Sequence, residues 1–301
     1  MSWRLALILF AVLAAGCDDE KIPPPPPPFV PPTTPPSEAE LLASRPYNVQ
    51  VPDAYDGGAE LPLVIALHGY GGSGADTTTY FNLARVTNAK DAFYVAPDGL
   101  KDKTGTRAWD SGKSKWPNWD QDWLSAVIHD LEAKYRIDRS RIVIFGHSQG
   151  GHMAHRMGCD GAADVTAVIS VAGQVTKETN GCVPSKPVTV MQLHGTADEV
   201  IGYYGDLQNN PPKPDIPSAH DTVAVWAAAN QCTGMLVETQ PSPIDLSTQI
   251  AGDETKVELY EGCPAPIAVG LWTMEGVAHR IGPTPDFSSK VLGFAFARPR
   301  P

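Results

Sequence analysis

The chain has 301 residues, a formal charge of −11, and 42% hydrophobic against 19% charged side chains. That is enough apolar material for a large core, and the acidic excess argues against nucleic acid or anionic lipid as partners. Residues 1–45 hold three basic and five acidic side chains, so −9 belongs to the remainder, in which no long internal repeat is evident.

Met1-Ser2-Trp3-Arg4 carries one positive charge and leads into the apolar stretch Leu5 to Ala15. Its eleven residues fall short of the ~20 that cross a bilayer as a helix, but they suit the apolar core of a secretory signal. The following Leu13-Ala14-Ala15-Gly16-Cys17 resembles a bacterial lipobox. Residues 1–16 are therefore expected to be a lipoprotein signal peptide, with Cys17 as the lipid anchor. An exported, membrane-anchored lipoprotein follows, facing the periplasm or the cell surface. Residues 17–45 are expected to be a tether: 23–36 contain ten prolines, which fix φ, remove backbone donors and favour an extended spacer.

The remaining residues, 46–301, are expected to form one catalytic domain. Leu61 to Leu67 reads as a buried strand and runs into His68-Gly69-Tyr70-Gly71-Gly72. Glycines let a backbone approach a ligand closely, and the loop lacks the Lys-Ser or Lys-Thr ending of a phosphate loop. Tyr70 N–H is expected to be one oxyanion donor.

Residues 109–123 hold four of the seven tryptophans, Trp109, Trp116, Trp119 and Trp123. Trp123 opens an amphipathic helix running to Tyr135. Either the cluster stacks on sugar or phenolic rings or it covers that helix as core. Trp109 and Trp119 are the expected substrate contacts.

Arg141 to Phe145 is an apolar run, followed by Gly146-His147-Ser148-Gln149-Gly150 and a helix-compatible segment from Gly151 to Met157. A G-x-S-x-G string alone is a weak signal. Between a strand and a helix it becomes a nucleophile elbow, with Ser148 on the strained turn and the Gln149 amide as second oxyanion donor. A hydroxyl needs an imidazole to take its proton and a carboxylate to orient that imidazole.

In this arrangement the acid precedes the histidine along the chain. Pro187 to His194 reads as a buried strand that turns away at Gly195-Thr196-Ala197-Asp198, which makes Asp198 the expected acid; Asp206 and Asp215 lie deeper in a proline-rich loop. That loop, 202–217, is a second candidate rim, with Tyr203 as a contact. Among later histidines, His220 opens a segment, 218–230, with apolar residues at helical spacing. His279 instead follows the strand-like run Ala268 to Met274, and is the expected base.

Besides Cys17 there are Cys159, Cys182, Cys232 and Cys263. An even number in an exported protein suggests two disulfides; three pairings are possible, and sequence-adjacent closure favours Cys159–Cys182 and Cys232–Cys263. No C-x-x-C pair supports a metal site. His152 and His155, near His147, read as faces of the elbow helix. Neither a metal nor an organic cofactor is expected.

From about Leu61 to His279 the chain resembles the secreted esterases that include polyhydroxybutyrate depolymerases and feruloyl or acetylxylan esterases. The resemblance is carried by 67–72 (LHGYGG), 96–99 (APDG), 145–151 (FGHSQGG) and 193–198 (LHGTAD), with Trp226 in its helix and Cys263. It implies an α/β fold of the α/β-hydrolase type, with a mostly parallel sheet, helices on both faces and no large lid domain. It also implies Ser148, Asp198 and His279 as a triad and the cysteine pairing above. The chain departs from the family after the base: Arg280-Ile281-Gly282-Pro283 replaces a Trp-Pro, so the pocket beside His279 is expected to differ.

The expected activity is hydrolysis of a plant-wall polysaccharide ester or a polyester oligomer, by a monomer tethered to its membrane. The competing readings are a serine peptidase of related fold and a non-catalytic saccharide-binding lipoprotein on a hydrolase scaffold.

Overall fold

The computed structural model describes residues 36–111, 119–177, 179–205, 216–239 and 241–301. The expected signal peptide, Cys17 and most of the tether lie outside the described residues, as do Trp116 and residues 206–215 of the proline-rich loop. None of the described helices is long and apolar enough to cross a membrane.

Six strands run parallel in the order β2 (Phe93–Val95), β1 (Leu61–Leu67), β5 (Ile137–His147), β6 (Ala167–Val171), β7 (Thr189–Gly195) and β10 (Val269–Met274). Beyond β10, β9 (Thr255–Tyr260) and β8 (Leu236–Glu238) continue the sheet antiparallel. The central strands read as continuous apolar runs because both faces are covered. Along β1, Leu63, Ile65 and Leu67 face one core, while Val64 and Ala66 face the other. The first core also holds Trp123, Trp226 and Met153; the second holds Phe81, Phe145 and Phe287.

The helices are α1 (Glu38–Ser44), α2 (Gly74–Tyr80), α3 (Leu83–Ala89), α4 (Asp120–Lys134), α5 (Gln149–Asp160), α6 (Ala219–Ala229) and α7 (Phe287–Phe296). A short hairpin, β3 (Leu100–Lys101) with β4 (Arg107–Ala108), stands outside the main sheet. Helix α6 starts where Ser218 and Asp221 form a capping box.

One expectation about the amino-terminal part needs correction. The tether was expected to reach residue 45, but a second capping box, Ser37 with Glu40, starts α1 and buries Leu41. Arg45 then fixes this segment: its guanidinium pairs with buried Asp120, donates to the Asp98 carbonyl, and lies over the rings of Trp109 and Trp123. Both disulfides, Cys159–Cys182 and Cys232–Cys263, are formed.

Candidate active site

The turn between β5 and α5 places Ser148 at φ 57, ψ −123, a positive-φ conformation that L-residues rarely adopt. The flanking glycines are required sterically. A Cβ at Gly146 would lie 2.0 Å from the Gly150 carbonyl oxygen, and one at Gly150 would lie 2.2 Å from that of Leu67. Ser148 N–H donates to the Val171 carbonyl at 2.8 Å, which ties the turn to the next strand.

Three loops at the carboxyl ends of parallel strands meet here, where ligands bind in open α/β sheets. The Ser148 hydroxyl lies 2.9 Å from His279 Nε2, and His279 Nδ1 lies 2.8 Å from Asp198 Oδ2. Asp198 leaves the end of β7, and its other oxygen, Oδ1, accepts the amides of Val200 and Ile201 at 2.9 and 2.8 Å. Burial pushes the Asp198 carboxyl up, but hydrogen bonds from His194 and His279 outweigh it and hold the group well below the usual carboxylate range. Asp198 is therefore an anion facing an imidazole that faces a hydroxyl.

Tyr70 lies in the loop after β1 and lines the same cavity as Ser148, and Gln149 follows Ser148 directly in the chain. The loop after β1 passes so close that a Cβ at Gly69 would be 3.2 Å from Ser148 Cβ. Gln149 opens α5, where the first amides have no intrahelical acceptor. The Gly71 amide donates to the Arg107 carbonyl at 2.8 Å, so the β3–β4 hairpin braces the loop. His68, pushed down by burial, accepts the Gly99 amide at Nε2, which leaves its Nδ1–H for the Gly69 carbonyl.

Two expected substrate contacts are core residues instead. Trp109 is 2% exposed, and its indole donates to the His68 carbonyl at 2.9 Å. Tyr203 is 4% exposed, with its hydroxyl against Thr273 Oγ1 at 2.9 Å. Aromatic rings on rim loops are pulled inward wherever apolar area and a polar partner are both on offer. Trp119 is half-buried against the same core and caps α4 with φ 44. Tyr204, beside Tyr203, is exposed.

Sequence reasoning passed over several neighbours of the site. His147, inside the elbow motif, donates from Nε2 to the His279 carbonyl at 3.1 Å, and burial pushes it down to about 4. It is thus a neutral strut against the His279 backbone. His194 lies 3.1 Å from Asp198 Oδ2, and the nearby residues Gln192, His155 and Trp226 join it in a buried chain. A cavity of about 620 Å³ opens over Ser148, walled by Tyr80, Phe81, His147, His279 and Arg280. Among the described residues no cluster of side chains could hold a metal ion.

This sheet order and elbow define an α/β-hydrolase fold with a serine-hydrolase site geometry. The chain belongs to the phospholipase/carboxylesterase family, whose model matches residues 55–206. It is 28% identical over 239 residues to feruloyl esterase B of Piromyces equi, covering 78% of the chain but 42% of that protein. With feruloyl esterase C of Emericella nidulans it shares 26% over 232 residues, covering 74% of the chain and 73% of the relative. The chain thus spans less than half the length of one of these relatives and about three quarters of the other. The acetyl xylan esterase from Aspergillus awamori has the same fold, with a TM-score of 0.57 at 13% identity over 82% of the chain and 92% of that structure. Esterase PE8 gives 0.52 at 17% identity, covering 84% and 98%.

Proposed function

We propose that the protein is an exported serine carboxylic-ester hydrolase that acts on esters of plant-wall polysaccharides through an acyl-enzyme. The observation that carries this reading is the unbroken hydrogen-bonded path from Ser148 through His279 to Asp198.

In this mechanism His279 Nε2 takes the proton as Ser148 Oγ attacks the ester carbonyl. The imidazolium that forms sits on the Asp198 carboxylate, and the amides of Tyr70 and Gln149 hold the tetrahedral oxyanion. His279 then gives the proton to the leaving alcohol. Water repeats the cycle on the acyl-enzyme and releases the acid.

The feruloyl esterases among its relatives and the aromatic wall of Tyr80 and Phe81 support a plant-wall ester as substrate. Two disulfides fit an oxidising compartment and so support export. Lipidation at Cys17 completes the reading; a Cys17→Ser variant is expected to leave the membrane fraction.

The decisive test is a fluorophosphonate probe followed by an ester panel of methyl ferulate, acetylated xylan and hydroxybutyrate oligomers. Stoichiometric labelling that vanishes in Ser148→Ala is expected, together with turnover of the first two esters. An unlabelled wild-type protein would overturn the proposal.

A further inference from the structure

The wall of the Ser148 cavity carries two side chains of fixed charge, Asp76 and Arg280. They differ in what they already do. Asp76 is used by the fold: it sits in the first turn of α2, and its carboxylate accepts the Ser73 hydroxyl at 2.7 Å. Arg280 is exposed, and among the described residues no carboxylate pairs with it. Other arginines near the domain surface, such as Arg107, Arg136, Arg139 and Arg141, each face an acidic side chain.

Arg280 is nevertheless held in place. Its guanidinium lies 5.2 Å from the centroid of the Tyr80 ring. That ring is fixed on one side by edge contact with Phe81, at 4.8 Å, and on the other by its hydroxyl, which accepts the Gly282 amide at 2.9 Å. The Arg280 carbonyl in turn accepts the Gln249 side chain. A guanidinium laid on a ring face keeps its N–H edge available, and that fork matches the two oxygens of a carboxylate. The Tyr80 hydroxyl, accepting from Gly282, keeps its own proton free for a second bond. The charge stands on the wall of the cavity that also holds Ser148 and His279.

We infer that Arg280, laid on Tyr80, is a subsite for a carboxylate carried by the ester substrate. The inference rests on the esterase reading above and narrows it to anionic esters: either the acyl part or the alcohol part bears a free carboxylate beside the scissile bond. A cation on the cavity wall of a chain of charge −11 then acts as a selective contact, because the long-range field favours no anion and only a short-range fork can hold one.

Two matched pairs of aryl esters test this. In the first, 4-nitrophenyl hemiglutarate is set against its neutral methyl ester, 4-nitrophenyl methyl glutarate; in the second, 4-acetoxybenzoate is set against its methyl ester. The readout is the anionic-to-neutral ratio of kcat/KM in wild type, Arg280→Gln and Arg280→Lys. One pair is expected to show a ratio of tenfold or more in wild type, falling at least tenfold in Arg280→Gln and recovering in part in Arg280→Lys. The responding pair tells which side of the bond carries the carboxylate. A wild-type ratio at or below one in both pairs, or a ratio unmoved by Arg280→Gln, overturns the subsite.

Calorimetric binding of the same esters to Ser148→Ala reads the subsite without turnover. There the anionic ester should bind at least tenfold tighter than its neutral mate only while Arg280 is present, and equal binding sinks the inference. Failure of wild type to hydrolyse any of the four esters, anionic or neutral, would instead sink the esterase reading, leaving the binding result to stand by itself.

Discussion

His194 Nε2 lies 3.1 Å from Asp198 Oδ2, the same oxygen that receives His279 at 2.8 Å. The direction of this second bond can be deduced from the far end of a buried chain. An indole N–H can only donate, so Trp226 Nε1, 2.9 Å from His155 Nδ1, makes that nitrogen an acceptor. The His155 proton is then on Nε2, donated to Gln192 Oε1 at 2.8 Å. Gln192 Nε2 consequently donates to His194 Nδ1 at 3.1 Å, which puts the His194 proton on Nε2, shared between Asp198 and the Ile201 carbonyl. All four side chains are fully buried, so each tautomer is locked from Trp226 to the acid.

If the triad operates as proposed, His194 is a positioning residue for it. His194→Phe removes a donor from the carboxylate, and a hydrogen bond to a charged group is worth ~1.5–3 kcal/mol. We expect kcat to fall roughly 10–100-fold with KM nearly unchanged. The less satisfied carboxylate should also hold the His279 proton more tightly, moving the acid limb of the kcat/KM profile to higher pH. His194→Gln, which can still donate, should recover part of the loss. A profile that keeps its shape in His194→Phe would reduce His194 to packing.

Two buried histidines, His147 beside the triad and His155 in this chain, make stability depend on pH. Burial pushes His147 and His155 down to about 4 from the usual imidazole value of 6.5. Between those values the unfolded chain binds protons that the folded chain refuses, so stability rises with pH through that window and falls as pH drops from about 6.5 to 4. Each group contributes up to about 1.4 kcal/mol per pH unit inside the window. Urea midpoints should therefore be level between pH 7.5 and 8.5 and clearly lower at pH 5. A midpoint unchanged at pH 5 would mean that these imidazoles find solvation on protonation.

Arg45 offers a separate stability test. Its partner Asp120 is fully buried, with the Asp110 amide on its second oxygen at 2.7 Å. Removing the cation alone strands a buried carboxylate, at a cost of about 3–5 kcal/mol. Arg45→Met should lower the urea midpoint accordingly, and Arg45→Met with Asp120→Asn should recover much of it. An unaffected single variant would show that the buried Asp120 carboxylate does not depend on its cation.

Most of the parallel sheet was legible because its strands are buried on both faces and read as unbroken apolar runs, as in Leu61 to Leu67 and Pro187 to His194. The elbow was legible because only glycine fits at Gly146 and Gly150. The amino-terminal boundary was not: the Ser37–Glu40 box is a four-residue signal beside a proline run, and Leu41 acquires meaning only once α4 lies against it. Trp109 and Tyr203 misled for a related reason, since an aromatic on a loop looks the same in sequence whether it faces solvent or core. The chain from Trp226 to His194 was invisible because it joins α6, α5 and β7, which are distant in sequence.

The elbow glycines allow the geometry itself to be tested. At Gly150 an added methyl would meet the Leu67 carbonyl at 2.2 Å and that of His68 at 2.7 Å, both backbone atoms that cannot swing away. Relief requires the end of β1 to retreat from α5, which carries the Tyr70 amide away from Ser148. Gly150→Ala should therefore cost both stability and turnover, with kcat falling at least ~100-fold, the size of a lost oxyanion donor. Gly181 is the matching control: it has φ +85 but open space around the added methyl, so Gly181→Ala should cost about 1 kcal/mol of stability and leave kcat unchanged. If Gly150→Ala folds and turns over like wild type, the donors do not depend on the close approach of β1 and α5.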